Sequence, residues 1–387
     1  LEGSPIVVEP VSGKAGRARF VELGRAFATR TPGSVPQLRS ELMELVDPDK
    51  NPFFEHAQVQ LFIARRDGRD VGRISAHIDR LALDLPPRQG FGPGTGMFGY
   101  FDGEDQDVAR ALLEGAERWL KAQGMKRVLG PISLSVWEEP GLLTKGHDHP
   151  PTLMMGHHPA HYAGWIEQQG YRAEKRLVTY DLDITAPFPP LIRRIVESGE
   201  RNPRINVREA GRNDYTGDVR IILSILNDAW SDNWGFVPFT DREIAYAAKK
   251  LKPLARPELV RIAELDGRPV AFMLTLPDLN EALAKMGGRL FPFGWVTLLR
   301  WLRHPRVRTM RVPLMGVLKE HQASRLASQL AFMMISSIRD VAVGTFGATR
   351  GEIGWILDDN RGMLAIADAI EGRVNREYTI YAKRIGE

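Results

Sequence analysis

The chain has 387 residues, 43% of them hydrophobic, more than one ordinary domain needs and enough for two cores of about 180 residues each. It has no cysteine, which excludes disulfides, a thiolate nucleophile and zinc–thiolate centres, and which fits a reducing cytoplasm. A net charge of +4 is small for this length, and no basic–aromatic interleaving of the single-strand-binding kind occurs, so nucleic acid is not an expected partner.

Residues 1–4, Leu-Glu-Gly-Ser, lack an initiator Met and read as a cloning scar, with no signal peptide after them. No uninterrupted apolar run reaches ~18 residues, so no spanning helix is expected. Ile6–Pro10 reads as a short strand, and the pattern around Phe20, Val21 and Leu23 as a helix. Val59–Ala76 reads as a hairpin turning at Asp67-Gly68. The Pro/Gly-rich stretch 86–96 is a loop, either a ligand loop or a plain hairpin connection. Phe98–Phe101 is a strand. Val108–Gln123 is a helix with Leu112, Leu113, Ala116 and Leu120 on one face. The loop between them carries Asp102, Glu104, Asp105 and Asp107, a charge that repels a diphosphate.

Arg127–Ile132 reads as a strand and Ser133–Gly141 as a loop. Glu139, beside a glycine turn, is a general-base candidate or a solvated charge. His147, His149, His157, His158 and His161 crowd together, but none forms an i, i+4 pair around a glutamate, and no metal site is expected. One of them acting alone as a base, or Tyr162 at the helix start, is the other reading. Helix Tyr162–Gln169 and strand Arg176–Leu182 follow.

Pro187, Pro189 and Pro190 mark a boundary, giving modules 5–184 and 205–387 with a linker at 185–204. The second half opens with strand Ile205–Glu209 and helix Asp214–Asp228. Asn233, Trp234 and Phe236 then form an apolar wall with a polar fixing group, or a packing cluster. Hairpin Leu259–Leu276 leads to Asp278. The insert 281–307, with Phe293 and Trp295 among its apolar residues and Arg289, Arg300, Arg303 and Arg306 beside them, has three readings. It lies in a membrane interface, covers an acyl chain, or packs as an extra helical pair. Met310–Leu318 is a buried strand, and Leu326, Leu330, Met333, Met334 and Ile338 are spaced as a helix. A strand entering a helix this way presents free N–H groups and a positive dipole end, a phosphate-binding corner.

Leu314–His321 followed by Gln322 resembles the CoA-binding segment of the GNAT acyltransferase superfamily, with Arg325, Ala323 and Ala327 where that segment carries glycines. Asp47–Phe54, Asn227–Glu243 and Trp355–Asn360 resemble a bacterial family of two-module GNAT N-acyltransferases that includes ceramide synthases, and the resemblance covers nearly the whole chain. It implies an α/β (α+β) fold of two tandem GNAT-like modules, each a mixed, mainly antiparallel sheet flanked by helices, the first without its own CoA site. It implies acyl-CoA as co-substrate, no metal, and transfer of a long acyl chain to a lipid-like amine such as a sphingoid base, at a cytoplasmic location with peripheral membrane contact. A small-amine acetyltransferase and a non-catalytic lipid-binding protein are the alternatives. The residues implied for catalysis are Glu352, Asp278, Glu139 and Tyr162. Those implied for CoA are Met315, Val317, Leu318, Gln322, Arg325 and Asn360, and those for the substrate Asn233, Trp234, Phe236, Phe293 and Trp295.

Overall fold

The computed structural model describes residues 4–386, so the scar read at residues 1–4 lies, apart from Ser4, outside the described residues. The chain divides into two units. The first takes the chain through Arg176, then Leu283–Gly294, then the stretch from Arg376 on. The second takes Leu177–Ala282 and Trp295–Asn375.

In chain order the first half forms β1 (Val7–Pro10), α1 (Gly13–Arg30), α2 (Arg39–Leu45), β2 (Ala57–Arg66), β3 (Arg69–Asp79), α3 (Arg80–Leu83), β4 (Thr95–Gly103) and α4 (Gln106–Ala122). Then come β5 (Arg127–Gly130), β6 (Ile132–Ser133), β7 (Glu139–Pro140), β8 (Leu142–Lys145), α5 (Tyr162–Gln168) and β9 (Arg172–Asp183). The rest forms α6 (Pro190–Glu200), β10 (Ile205–Glu209), α7 (Tyr215–Trp230), α8 (Asp241–Leu251), β11 (Val260–Leu265), β12 (Arg268–Pro277), α9 (Asn280–Met286) and α10 (Gly294–Arg303). It ends with β13 (Thr309–Val317), α11 (Lys319–Gln322), α12 (Arg325–Phe346), β14 (Arg350–Leu357), α13 (Arg361–Ala369) and β15 (Arg373–Arg384).

The first unit's sheet runs β1, β2, β3, β4, β5, with Tyr381–Arg384 of β15 beside β5 and β8 beside Glu377–Thr379. All its pairings are antiparallel except β4–β5. The second unit's sheet runs from Leu177–Asp183 of β9 through β14, β13, β12 and β11 to β10, and there only β13–β14 is parallel. Most of the strand that closes the first half in chain order thus belongs to the second unit, and most of the last strand to the first. The stretch 185–204 carries α6, whose Ile192 and Val196 join the second unit's core, and it lies within that unit. Residues 283–294 of the insert count with the first unit.

Each core follows from helix periodicity. Val108, Leu112, Leu113, Ala116 and Leu120 of α4 are all fully buried against the first sheet, as their three- and four-residue spacing requires. In the second unit Leu330, Met334, Ile338 and Ala342 of α12 do the same. The 22 residues of α12 have the length and apolarity of a membrane span, a composition that its buried face in this core explains.

Both parallel pairs are short. β4 pairs with β5 only over Thr95–Met97, and β13 with β14 only over Thr309–Val312, although each first strand runs on for several residues. In the second unit the residue after the last pair is Pro313, which has no N–H to give to a ladder. In the first unit the proline is on the other strand of the pair, Pro131, just after β5. The strands therefore part, and each unit holds a V-shaped opening in its sheet.

Candidate functional site

The second unit's opening is built by β13, β14 and the start of α12. Two buried carboxylates, Glu352 and Asp278, lie along the paired stretch that precedes it. Glu352 is the register partner of Arg311, and both are fully buried. One oxygen of Glu352, Oε2, accepts from Arg350 at 2.9 Å and from Asn375 Nδ2 at 3.0 Å. Arg311 lies with its guanidinium 5.5 Å from the Trp355 ring and donates to the Val312 carbonyl. Asp278 is 5% exposed; its N–H donates to Thr309 O at 3.1 Å and its side chain accepts from Asn280 N–H at 3.1 Å. Asp278 and Glu352 are thus both tied to the paired stretch 309–312, where the two strands are still together.

Farther out, Trp230 from α7 reaches the free side of β13, where its Nε1 donates to Met315 O at 3.2 Å. Phe236 is buried edge-on to Trp230 at 6.5 Å, and the turn Trp230–Phe236 is closed by Asn233 N–H to Trp230 O and Phe236 N–H to Asn233 O. Val317 and Leu318 end the strand, both half-buried against the core. Gln322 is exposed but its amide turns back to the chain: Nε2 donates to Ala229 O at 3.0 Å and to Val317 O at 2.8 Å, which pins the turn between β13 and α12. Asn360 also has a structural post, capping α13 by accepting from Met363 N–H at 3.2 Å. Arg325 stands exposed in the first turn of α12.

The two helices that follow the openings differ at their N-termini. Asp105 caps α4, its carboxylate accepting from Val108 N–H at 3.0 Å, and Asp107 adds a second acid in the first turn. The N-cap of α12 is Ser324, whose hydroxyl donates backward to His321 O and makes no capping bond, and its first turn holds no acid. One helix end is occupied by its own carboxylate and the other is open to an external anion.

The expectation that raw negative charge closes the first unit to a diphosphate needs correction. Asp102 pairs with Arg73 at 2.7 Å, Asp105 with Arg66 at 2.6 Å and Asp107 with Arg110 at 3.0 Å. Glu104 sits among Arg30, Arg66 and Arg69. Apart from Arg110, the arginines that neutralise the loop are distant in sequence. What fills the opening is chain: a Cβ on Gly99 of β4 would fall 2.2 Å from Ile132 O, and Tyr100 N–H donates to Ser133 Oγ at 3.1 Å, so β6 lies where β4 is unpaired.

The other first-unit candidates cluster beside that filled opening. Glu139 Oε1 lies 3.1 Å from His158 Nε2, and Leu143 N–H donates to His158 Nδ1 at 3.0 Å. Burial would raise the Glu139 carboxyl, but the His158 hydrogen bond, with His158 and Arg73 nearby, holds it below the usual range. Burial, reinforced by the charge of Glu139, raises Asp102 despite Arg73. Tyr162 is a buried peg whose hydroxyl bridges Gly103 N–H and Gly103 O, and burial first, then Asp102, pushes its pKa up. His158 was legible only as one histidine of five, because its partners Glu139 and Leu143 are 19 and 15 residues away. Trp234 is half-buried. Phe293 and Trp295 are 76% and 49% exposed.

No protein-family model matches the chain. It is 40% identical over 379 residues, 98% of this chain and 97% of the relative, to a protein named bacterial ceramide synthase from Caulobacter vibrioides (strain NA1000 / CB15N). It is 39% identical over 369 residues, 95% and 92% of the two chains, to Protein YghO of Escherichia coli (strain K12). Among solved structures it resembles a tandem GNAT protein from the clavulanic acid biosynthesis pathway, with TM-score 0.56 at 11% identity over 99% of both chains. It also resembles a GCN5-related N-acetyltransferase from Sphaerobacter thermophilus, with TM-score 0.51 at 12% identity over 99% and 96%. At such identities these two likenesses concern the fold alone.

Proposed function

The chain belongs to the family of the bacterial ceramide synthase and has the tandem GNAT fold, and from that premise we propose that this acyltransferase moves a long acyl chain from acyl-CoA to the amine of a sphingoid base. The observation that carries the reading is the pair of features in the second unit: strands that part at Pro313, and an uncapped α12 N-terminus with Arg325 in its first turn. The opening has unpaired strand edge for an extended pantetheine arm. The helix end supplies N–H groups, dipole and a guanidinium for the diphosphate. The first unit lacks both, since β6 fills its opening and Asp105 caps its helix.

The chemistry needs no covalent enzyme intermediate. The amine, once deprotonated, attacks the thioester carbon, and the thiolate leaves and takes a proton. Proton removal falls to the buried carboxylates beside the opening's paired stretch, Asp278 or Glu352. Glu352 is the more committed, because accepting a proton at Oε2 disturbs the bonds to Arg350 and Asn375. Trp230, Trp234 and Phe236 form the apolar side for the acyl chain, with Asn233 in the turn.

A lipid-like acceptor is supported by 289–308. Phe291, Phe293, Trp295 and Leu299 are 80%, 76%, 49% and 41% exposed, unusual for such side chains. Residues 282–308 hold Lys285, Arg289, Arg300, Arg303, Arg306 and Arg308 and no acid. Aromatic side chains with arginines and no opposing charge suit the headgroup region of an anionic bilayer, and peripheral attachment there brings the protein to its acceptor.

The test is transfer itself. Purified protein with palmitoyl-CoA and sphinganine is expected to yield N-palmitoyl-sphinganine and free CoA, read by mass spectrometry, with acetyl-CoA a poor donor. Acetylation of small amines with no long-chain transfer would replace this reading with the acetyltransferase one.

A further inference from the structure

The first unit retains a polar arrangement that its lost opening does not explain. Glu139 keeps 37% of its side-chain surface open, while its partner His158 is 12% exposed. His158 Nδ1 accepts from Leu143 N–H, so that nitrogen carries no proton. The proton is on Nε2, which donates to Glu139. The imidazole is thereby fixed in one tautomer, and Glu139 is aimed by it. Gly156 makes room: a Cβ there would stand 2.5 Å from Glu139 Oε1 and 2.8 Å from the His158 ring, so no larger residue fits.

The backbone around this pair is strained. Six described non-glycine residues have left-handed φ. Asp67, Asp266 and Glu371 are turn residues followed by glycine. The other three, Tyr100 (φ 44), Leu134 (φ 70) and Met154 (φ 65), all belong to this corner. Tyr100 N–H holds Ser133 Oγ, Ser133 is the register partner of Glu139, Leu134 follows it, and Met154 lies two residues before Gly156. Strain of this kind gathers where a fold serves a site.

Glu139 is close enough to Asp102 to raise it, and Arg73, whose charge reaches both acids, is hydrogen-bonded to Asp102 and stacked between Phe20 and Tyr100 at 4.9 and 5.4 Å, in space left by Gly24, which leaves Glu139 without a bonded cation of its own among these groups. Asp102, Glu139 and His158 do not converge as metal ligands do; among the described residues no group of three such side chains is placed to hold an ion. A carboxylate aimed by a neutral donor, half open and near a second acid, suits a hydrogen-bonding organic cation.

We propose that this corner of the first unit binds a primary ammonium group, with Glu139 as its charged acceptor and His158 as the positioning residue. The proposal draws on the N-acyltransferase reading only for the choice of probe. The probe is 2-aminooctane-1,3-diol, a short sphingoid-like amine, titrated calorimetrically into the full-length protein beside octane-1,3-diol, which lacks the amine.

The amine is expected to bind, and the diol at least about tenfold more weakly, a comparison that needs no variant. Glu139→Gln is expected to weaken the amine by about tenfold or more and leave the diol unchanged. His158→Leu is expected to act in the same direction. His158→Gln, whose amide both accepts and donates, is expected to restore binding to within about threefold of the parent, which a merely space-filling role does not predict. Equal binding of amine and diol, no binding of the amine, or an unaffected Glu139→Gln would overturn the proposal. Palmitoyl-CoA titrated into the same proteins separates the two readings. Its binding, unchanged in Glu139→Gln, tests the acyl-CoA reading, and amine binding without it would sustain this site alone.

Discussion

The indole Nε1 of Trp230 donates to the main-chain carbonyl of Met315 across 3.2 Å. Met315 lies beyond the point where β13 loses its parallel partner, so this bond ties α7 to strand edge that β14 no longer covers. Trp230→Phe keeps the ring contact with Phe236 and removes the donor. It is expected to cost about 1 kcal/mol of stability. Palmitoyl-CoA affinity is expected to fall severalfold as the edge loses its anchor. Thermal melts and calorimetry read the two effects; unchanged affinity with a lowered melting temperature would confine Trp230 to packing.

The contrast between the helix ends yields predictions of opposite sign. Ser324→Asp gives α12 the cap that Asp105 gives α4. It is expected to stabilise the protein by about 1 kcal/mol and to weaken acyl-CoA strongly, since the new carboxylate takes the N–H groups and repels the diphosphate. Asp105→Ser keeps a capping oxygen and loses the pair with Arg66; it is expected to destabilise by less than about 1 kcal/mol and to leave acyl-CoA affinity alone. Denaturant titration together with ligand titration checks both; a fall in acyl-CoA affinity in Asp105→Ser would place the diphosphate on the other helix.

Membrane contact is checked by flotation with vesicles. The parent is expected to float with vesicles rich in phosphatidylglycerol and to stay below with phosphatidylcholine alone. Phe293→Ser combined with Trp295→Ser is expected to reduce flotation by about tenfold or more, because each ring carries much of the apolar area available for insertion. Equal recovery with both vesicle types would remove the arginines from the account.

His77 on β3 is fully buried, and burial drives its pKa from 6.5 down to about 3, with partial compensation from the Leu134 backbone. The unfolded chain takes up this proton near pH 6.5 and the native protein only near pH 3. Between those values the unfolded state holds one proton more. Stability from this group is therefore complete above about pH 6.5 and lost as pH falls, by about 1.4 kcal/mol per pH unit. In His77→Phe the slope of stability against pH between about 6 and 4 is expected to be shallower by one proton. Identical slopes in parent and variant would contradict it.

Local structure was readable where the cause is local. The hairpins turn at Asp67-Gly68 and Asp266-Gly267, both left-handed at both residues, and Asn360 caps its helix. The faces of α4 and α12 follow from their periodicity. Pro313 was the unread signal in β13: a proline inside a central strand marks where pairing must stop. The arginines that neutralise Asp102, Glu104 and Asp105 come from other elements, and no spacing rule reaches them. The same holds for Gln322, read as a phosphate contact and found bonded to Ala229 O and Val317 O. Which strand pairs with Leu177–Asp183 is likewise a choice made between segments some 170 residues apart, at register Asp181 to Glu352.

The most direct measurement is calorimetric titration of palmitoyl-CoA into the intact protein and into Arg325→Glu, with CoA alone as the reference. The account predicts tight binding of palmitoyl-CoA, weaker binding of CoA, and loss of most affinity for both in the variant while its melting temperature stays within a few degrees. Binding that is indifferent to Arg325→Glu would contradict the claim that the second unit's open helix end holds the diphosphate, and absence of binding to the parent would contradict acyl-CoA as the donor.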